Sequence, residues 1–463
     1  MWAAGWRRLG PRASTERAAE GGGGRLSDGG LAGLMFPALF ALVLLGIPVS
    51  FGLIAVSFGF GFLFFGAATP IQLYGRLVEV AQGFVFAAVP MFVLMGTILE
   101  RSGLAERLFA ALQLWLGRLP GGLALAVMAM GAIFAAASGI IGAVEVVIGL
   151  MAIPVMLERG YDRGLIAGTI TSAGSLGTII PPSVLCVVFG SIAQLPIGDL
   201  FAGCLLPGLV MVALFQAYIL IRCRLRPMDG PPAAGPTMPL GRRLRRTATG
   251  LLPPLLLIVA VLGSILAGVA SPTEAAAVGA LGAALLALAN RRLGMDVLLQ
   301  ALRATLRITS FIMLIVLGGT LFSSVFYVLG GGRLVHALID HAGLSATGTV
   351  LLFLAIVFLA GFVLDWATVV LVAVPIFMPV LRTMGVDPLW FAILMIVVLQ
   401  TSYLTPPMAP AIFYLRSIAP PSIGYGDMVR GVLPFILCQA LTVALVWFLP
   451  PLATALPRRL AGF

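Results

Sequence analysis

Apolar runs of helical length follow one another along most of this chain, separated by short connections of Gly, Pro, Arg and Asp. A helix needs about 20 apolar residues to cross a bilayer, and the runs leave room for about a dozen helices or half-helices. They are Leu/Ala/Val/Gly blocks without the dyad alternation of an outer-membrane barrel, so strands are not expected. Residues 1–34 break the pattern. They hold a glycine run, Gly21 to Gly24, with scattered Arg, Glu and Ser, and read as a disordered tail or an over-extended start. No small-residue cleavage site follows the first apolar run, so this is not a good signal peptide. Met35 directly precedes the first expected membrane helix.

Composition makes the bilayer the solvent. The chain is 60% hydrophobic and 10% charged, with mean hydropathy +1.12, whereas a soluble domain is about half apolar and a quarter charged. The net charge is +11, and every basic residue is Arg, with no Lys anywhere. The Arg sit in short loops between apolar runs, which argues against a nucleic-acid surface and for topology signals. Arg222, Arg224, Arg226, Arg242, Arg243, Arg245 and Arg246 are opposed only by Asp229, so the 222–248 loop is expected to be cytoplasmic. Without Lys there is no phosphate-binding Gly-Lys-Ser/Thr loop and no Schiff base. The two His, His336 and His341, and the four scattered Cys have no metal-ligand spacing.

An internal repeat divides the chain. Pro154, Gly160, Asp162, Pro181 and Pro182 recur as Pro379, Gly385, Asp387, Pro406 and Pro407, each pair 225 residues apart (379 − 154 and 407 − 182). Gly96-Thr97 with Gly319-Thr320, Asp199 with Asp427, and Gly203 with Gly431 extend the match more loosely. The divisions read as a tail at 1–34, a first membrane half at 35–221, a basic loop at 222–248, a second half at 249–453 and a tail at 454–463. Two homologous helical halves mark a secondary transporter, whose ligand sites lie at interrupted helices near the bilayer midplane.

Two interruptions stand at repeat-equivalent positions, Gly174 to Pro182 and Thr401 to Pro407. A Pro–Pro pair removes two successive backbone donors. The freed carbonyls are those of Gly177, Thr178, Ser402 and Tyr403, beside hydroxyls of Thr178, Ser183, Thr401, Ser402 and Thr405. Such oxygens suit a hard cation such as Na⁺. Small-residue breaks at Ser138-Gly139 and at Gly361 to Trp366 read as tips of re-entrant hairpins. Asp365 and Glu145 are acids among apolar neighbours, and an acid inside the membrane is a functional candidate. For both, the alternative is a carboxylate held by the amides at a helix N-terminus. Glu145 has Val370 in place of a counterpart, which ranks it lower. Glu274, in Ser271-Pro272-Thr273-Glu274, reads as a helix start, and Asp199 and Asp427 as caps.

Gly160-Tyr161-Asp162, Gly174 to Ser183, Ser271 to Ala280 and Leu404-Thr405-Pro406-Pro407 together resemble the large membrane subunit of tripartite ATP-independent periplasmic (TRAP) transporters, from about Met35 to about Pro450. The resemblance implies an all-α polytopic inner-membrane protein with two repeated halves, re-entrant hairpins and broken helices, moving as an elevator. It implies Na⁺-coupled symport of an organic acid, a periplasmic solute-binding protein, a small four-helix membrane subunit, no organic cofactor and no enzymatic activity. Carried over by position, the ion and substrate residues are Ser138 and Gly139 at the first tip, Gly174, Ser175, Gly177, Thr178 and Pro181 at the first break, Asp365 at the second tip, and Thr401, Ser402, Thr405 and Pro406 at the second break. Gly177, Thr178, Asp365 and Ser402 are the expected Na⁺ ligands. The chain departs from the family at Ser138-Gly139-Ile140-Ile141-Gly142, where apolar residues replace hydroxyls, so backbone carbonyls carry more of the first ion site. This variant and the motif Gln400 to Pro407 are similar to a branch associated with oxo- or hydroxy-monocarboxylates, so the implied substrate is a C4-dicarboxylate or a 2-oxo monocarboxylate.

Two rivals come from short motifs. Ser422-Ile423-Gly424-Tyr425-Gly426-Asp427 is close to a K⁺-selectivity filter, but it follows Pro420-Pro421 without a pore helix, and its repeat counterpart keeps only Gly198-Asp199. Gly424 to Asp427 also fits the Gly-x-Gly-Asp pattern of intramembrane aspartyl proteases, which need a second Asp such as Asp365.

Overall fold

A computed structural model describes residues 28–139, 142–232, 239–406 and 409–460. The described residues are almost entirely helical. In the first half lie α1 (Asp28–Leu44), α2 (Val49–Phe65), α3 (Thr69–Gln82), α4 (Ala88–Arg101), α5 (Leu104–Leu116), α6 (Gly122–Ser138), α7 (Ala143–Glu158), α8 (Arg163–Ser175), α9 (Val184–Ala193) and α10 (Ile197–Leu225). In the second lie α11 (Leu240–Leu266), α12 (Pro272–Ala289), α13 (Met295–Val328), α14 (Gly331–His341), α15 (Ala346–Ala360), α16 (Trp366–Thr383), α17 (Pro388–Leu404), α18 (Pro410–Arg416) and α19 (Tyr425–Phe448), followed by α20 (Pro451–Leu460). Among the described residues, eight helical segments are long and apolar enough to cross a membrane. Large apolar side chains such as Leu63, Leu256 and Leu437 point outward, as expected where lipid is the surroundings.

The repeat is visible in the helices themselves. The series α6 to α10 recurs as α15 to α19, and α8 and α17 start 225 residues apart (388 − 163). Both start on an aspartate cap. The Asp162 carboxylate accepts from the Leu165 amide at 2.8 Å and that of Asp387 from the Leu389 amide at 2.9 Å. Each cap is also paired with an arginine, Asp162 with Arg222 at 2.6 Å and Asp387 with Arg458 at 3.2 Å.

The halves interlock rather than sit side by side. Helix α8 packs on α19 and α10 on α17, while α4 packs on α12 and α2 on α13. The α8–α19 contact is backbone on backbone. A Cβ on Gly168 would overlap the Gly431 carbonyl, and one on Gly431 would overlap the Gly164 carbonyl. Small residues four apart permit this approach, which in a membrane takes the place of hydrophobic association.

Three segment boundaries differ from the sequence reading. Helix α1 begins at Asp28, inside the segment read as a tail, because Ala32 and Met35 are buried against the body. The C-terminal residues read as a tail form α20, whose Ala453, Thr454 and Pro457 are buried and whose Arg458 holds Asp387. The basic 222–248 segment is helical at both ends, since α10 runs to Leu225 and α11 starts at Leu240. Residues 1–27 lie outside the described part. The Ser271 cap is as expected, with the Glu274 carboxylate accepting from the Ser271 amide at 2.8 Å.

Gly431→Ala is expected to lower the apparent melting temperature in detergent, by the equivalent of about 1–3 kcal/mol, because its Cβ meets a backbone atom that cannot move aside. Gly426→Ala, on the same helix but with open space around its Cβ, serves as the control and should be neutral or slightly stabilising.

Candidate functional site

Both helices break where the proline pairs stand. Helix α8 tightens into a 3₁₀ turn at Leu176–Thr178, passes through the cis Pro181–Pro182 bond and resumes as α9 at Val184. Helix α17 ends at Leu404 and the chain resumes as α18 at Pro410; Pro407 lies outside the described residues. The backbone is partly re-satisfied here. The Leu176 carbonyl accepts from the Ile179 and Ile180 amides, and the Ser402 carbonyl accepts from the Thr405 amide at 3.2 Å. The Thr178 carbonyl accepts from Ser183 Oγ at 2.9 Å. The expectation of bare carbonyls at Thr178 and Ser402 is therefore corrected: each has one partner and keeps one lone pair.

The hydroxyls spend their protons in the same way. Thr178 donates to the Ser175 carbonyl, Thr401 to Val397, Ser402 to Leu399 and Thr405 to Thr401, at 2.7–2.9 Å. Their oxygens keep lone pairs that a cation could use.

Each hairpin tip lies on the break of its own half. Gly139, at φ +59°, joins α6 to α7, and a Cβ there would stand 3.0 Å from the Pro182 carbonyl oxygen. A Cβ on Gly361 would overlap Ser402 Oγ. Only glycine allows either approach. The two breaks also meet. Gln400 donates to Ser175 Oγ at 3.2 Å, and these are repeat-equivalent positions (400 − 175 = 225). Gln439 of α19 donates to the same oxygen at 3.4 Å.

A cavity of about 570 Å³ opens over this junction. Its wall includes Gly139, Thr178, Gly361, Asp365, Tyr403 and Tyr414, with Arg307 and Phe311 of α13 facing them. Of the residues expected to bind ion or substrate, Gly139, Thr178 and Asp365 line it. Ser175 lies behind, held by the two glutamines. Ser402 stands behind Gly361, Gly174 packs on Glu145, and Gly177 lies in the buried 3₁₀ turn. Thr401 and Thr405 bond along their own helix, while Pro181 and Pro406 shape the breaks. Ser138 ends α6, and its side chain lies outside the described part. The four expected Na⁺ ligands thus do not share one wall. Tyr403, read from the sequence only for its carbonyl, also lines the wall, at the repeat position of Thr178 (403 − 178 = 225). Arg307 carried no local signal, since its place at the cavity depends on tertiary packing.

The two embedded acids differ. Asp365 caps α16, accepting from the Ala367 amide at 3.0 Å and from the Thr368 amide and hydroxyl. Glu145, in the first turn of α7, is fully buried and neither carboxyl oxygen has a hydrogen-bond partner among the described residues. The helix-amide reading therefore holds for Asp365 and fails for Glu145. Instead the Glu145 side chain lies against Gly174, where a Cβ would overlap its Cγ.

The filter-like segment is the start of α19. Gly424 occupies the N-cap, and its amide donates to the Asp427 carboxylate at 3.0 Å. Asp427 is thus committed to a helix cap, as neither a filter nor a protease dyad would have it. Asp199 lies in the first turn of α10, behind Pro196 at its N-cap.

An all-helical membrane chain whose two halves bring paired tips and broken helices to one cavity has the architecture of a transport protein. A family profile described as "Tripartite ATP-independent periplasmic transporter, DctM component" matches residues 36–452, and the chain belongs to this family. It is a multi-pass inner-membrane transport subunit and not an enzyme. It is 31% identical to the ectoine/5-hydroxyectoine TRAP transporter large permease protein UehC of Ruegeria pomeroyi, over 90% of this chain and 97% of that one. To the C4-dicarboxylate TRAP transporter large permease protein DctM of Pseudomonas aeruginosa it is 29% identical, over 82% and 88%. Among solved structures, the YdaH transporter of Alcanivorax borkumensis superposes with TM-score 0.63 at 16% identity, over 91% of this chain and 99% of that one. That likeness concerns the fold.

Gly174→Ala is expected to destabilise the chain by about 1–3 kcal/mol, by driving its Cβ into Glu145. Adding Glu145→Ala should recover most of that loss, because the obstructing side chain is gone. Melting curves of the two single variants and the double variant measure the coupling. Simple additivity would show that the contact is not the cause.

Proposed function

We propose that this chain carries an organic acid across the inner membrane by Na⁺-coupled symport, using an elevator movement. Its partners are a small four-helix membrane subunit and a periplasmic solute-binding protein that delivers the substrate. The observation that carries the reading is the pairing of each tip with its own break, Gly139 with Pro182 and Gly361 with Ser402, beside one cavity. Relatives named for C4-dicarboxylate, ectoine and sialic acid support a carboxylate substrate, since each of these molecules bears a carboxylate.

Two ion sites fit this geometry better than one. The first is formed by Gly139, Gly177 and Thr178, largely through backbone oxygens. The second is formed by Asp365, Ser402 and the turn at Gly361, where a carboxylate is available. Carbonyls, hydroxyls and a carboxylate are the donors a hard cation prefers. The interlocked helices α6–α10 and α15–α19 form the moving body in this reading, and α1–α5 with α11–α14 the scaffold. The basic segment after α10 faces the cytoplasm, as Arg-rich connections do.

An ion that binds only the folded state raises stability by mass action, about 2.7 kcal/mol at a concentration 100 times its dissociation constant. Melting temperature in NaCl should exceed that in KCl or choline chloride at equal ionic strength. Asp365→Asn and Ser402→Ala should each reduce the Na⁺-specific shift. Equal melting temperatures in the three salts would refute sodium coupling at these residues.

A further inference from the structure

Two charged side chains line the cavity, Asp365 and Arg307. Asp365 is engaged by the first turn of α16. Arg307 is exposed, and no hydrogen bond or ion pair engages its guanidinium among the described residues. We propose that Arg307 is a specificity-determining residue: a scaffold cation that binds a carboxylate of the transported anion when the cavity stands opposite it. This rests on the organic-acid and elevator readings above.

Helix α13 explains why an arginine stands there. Its 34 residues span about 51 Å, well beyond the roughly 30 Å of hydrocarbon. Its charges, Asp296, Arg303 and Arg307, all lie in the first part, and residues 308–328 carry none. Arg307 is therefore the last charge before the span proper, at the edge of the hydrocarbon. The plain alternative is an arginine reaching for lipid headgroups. Two observations oppose it. Arg307 lines the cavity, and so does Phe311 one turn further along the same face. A planar guanidinium can also hold a carboxylate through two parallel hydrogen bonds, which sets a carboxylate apart from other anions by shape as well as charge.

The membrane side can be identified. Helix α13 begins just after Arg291 and Arg292, and Arg292 lies beside Gly103 at the start of α5. Trp115 of α5 donates to Thr247 of the basic segment at 2.7 Å, and Arg243 lies 3.9 Å over its ring. Arg107 of α5 bonds Asn290, and its carbonyl lies against Gly250, two residues past the basic segment. The N-terminal end of α13 and the basic segment thus share one face. Helix α13 packs on α2 and α4 and, beyond Arg307, on α16, where Gly319 and Ser323 meet Leu371. In the elevator reading above, α13 belongs to the scaffold with α2 and α4, and Arg307 does not travel with the tips and breaks. It meets the substrate at one end of the stroke only, the end nearer the basic segment.

The test titrates the melting temperature of the purified chain with acetate, lactate and succinate at constant total Na⁺ and ionic strength, each sodium carboxylate replacing NaCl. The variants are Arg307→Gln and Arg307→Lys, with Arg303→Gln as control, one turn away and outside the cavity wall. At least one carboxylate should stabilise the wild type, and its apparent affinity should fall about 10- to 100-fold in Arg307→Gln, as loss of a charged hydrogen bond implies. Arg307→Lys should retain part of it, Arg303→Gln all of it, and the shift from Na⁺ alone should not change. An equal carboxylate response in Arg307→Gln and wild type would overturn the role of Arg307 alone. If no carboxylate stabilises the wild type while Na⁺ does, the organic-acid reading falls and this proposal falls with it. In proteoliposomes that also hold the small membrane subunit, with the solute-binding protein supplied on the side opposite the basic segment, the half-saturating concentration of the stabilising carboxylate should rise in Arg307→Gln only from the side of the basic segment. An equal rise from both sides would contradict a scaffold position.

Discussion

A peptide group inside hydrocarbon has no water to bond, so every break in a membrane helix must be answered by protein, ligand or a water-filled cavity. This chain has four such breaks at membrane depth, two hairpin tips and two interrupted helices, and it folds them onto each other. The Pro182 carbonyl faces Gly139, and Ser402 faces Gly361. The Ser183 hydroxyl and the Thr405 amide take up part of what the prolines leave open. What remains is a concentrated set of oxygen lone pairs beside one cavity. The chemistry of the site follows from incomplete repair of the backbone.

Holding four breaks together requires close backbone approach, and lipid-facing helices gain little from hydrophobic association with one another. Glycine meets that need at the positions that matter. Gly164, Gly168 and Gly431 bring α8 of one half onto α19 of the other, backbone to backbone. Gly174 admits the Glu145 side chain, and Gly361 admits Ser402. Because α8 leans on α19 and α17 on α10, neither broken helix is supported by its own half alone. The interlock packs the two broken helices into one body.

Much of this was legible in the sequence because proline, glycine and aspartate punctuate a helix in a way that does not depend on tertiary context. The shared interval of 225 residues places the breaks, and the caps at Asp162 and Asp387 follow from the same match. Less could be read where packing decides. Nothing in the run around Arg307 says which face of α13 looks into the cavity. Glu145 and Asp365 look alike in sequence, as lone acids in apolar runs. Yet one finds three donors and the other none among the described residues, since Asp365 stands at the N-cap of its helix, whereas Glu145 stands inside the first turn behind Gly142. Boundaries slipped for a similar reason. The start of α1 and the whole of α20 are held by burial of Ala32, Met35 and Ala453, which composition does not reveal.

The repeat is close in geometry and broken in chemistry, and the second fact bears more directly on function. Gly142 caps α7 where Asp365 caps α16, Thr178 stands where the other half has Tyr403, and Ser175 where it has Gln400. A site with exact twofold symmetry would present two equal halves to a substrate that has no such symmetry. Here one half offers chiefly backbone oxygens and hydroxyls and the other adds a carboxylate and a phenol ring. Two cation sites built on these halves would then differ in charge and strength, although the same fold positions both. An anion seated between them would meet Asp365 on one side, so its own carboxylate is best placed away from that group, toward the wall that carries Arg307.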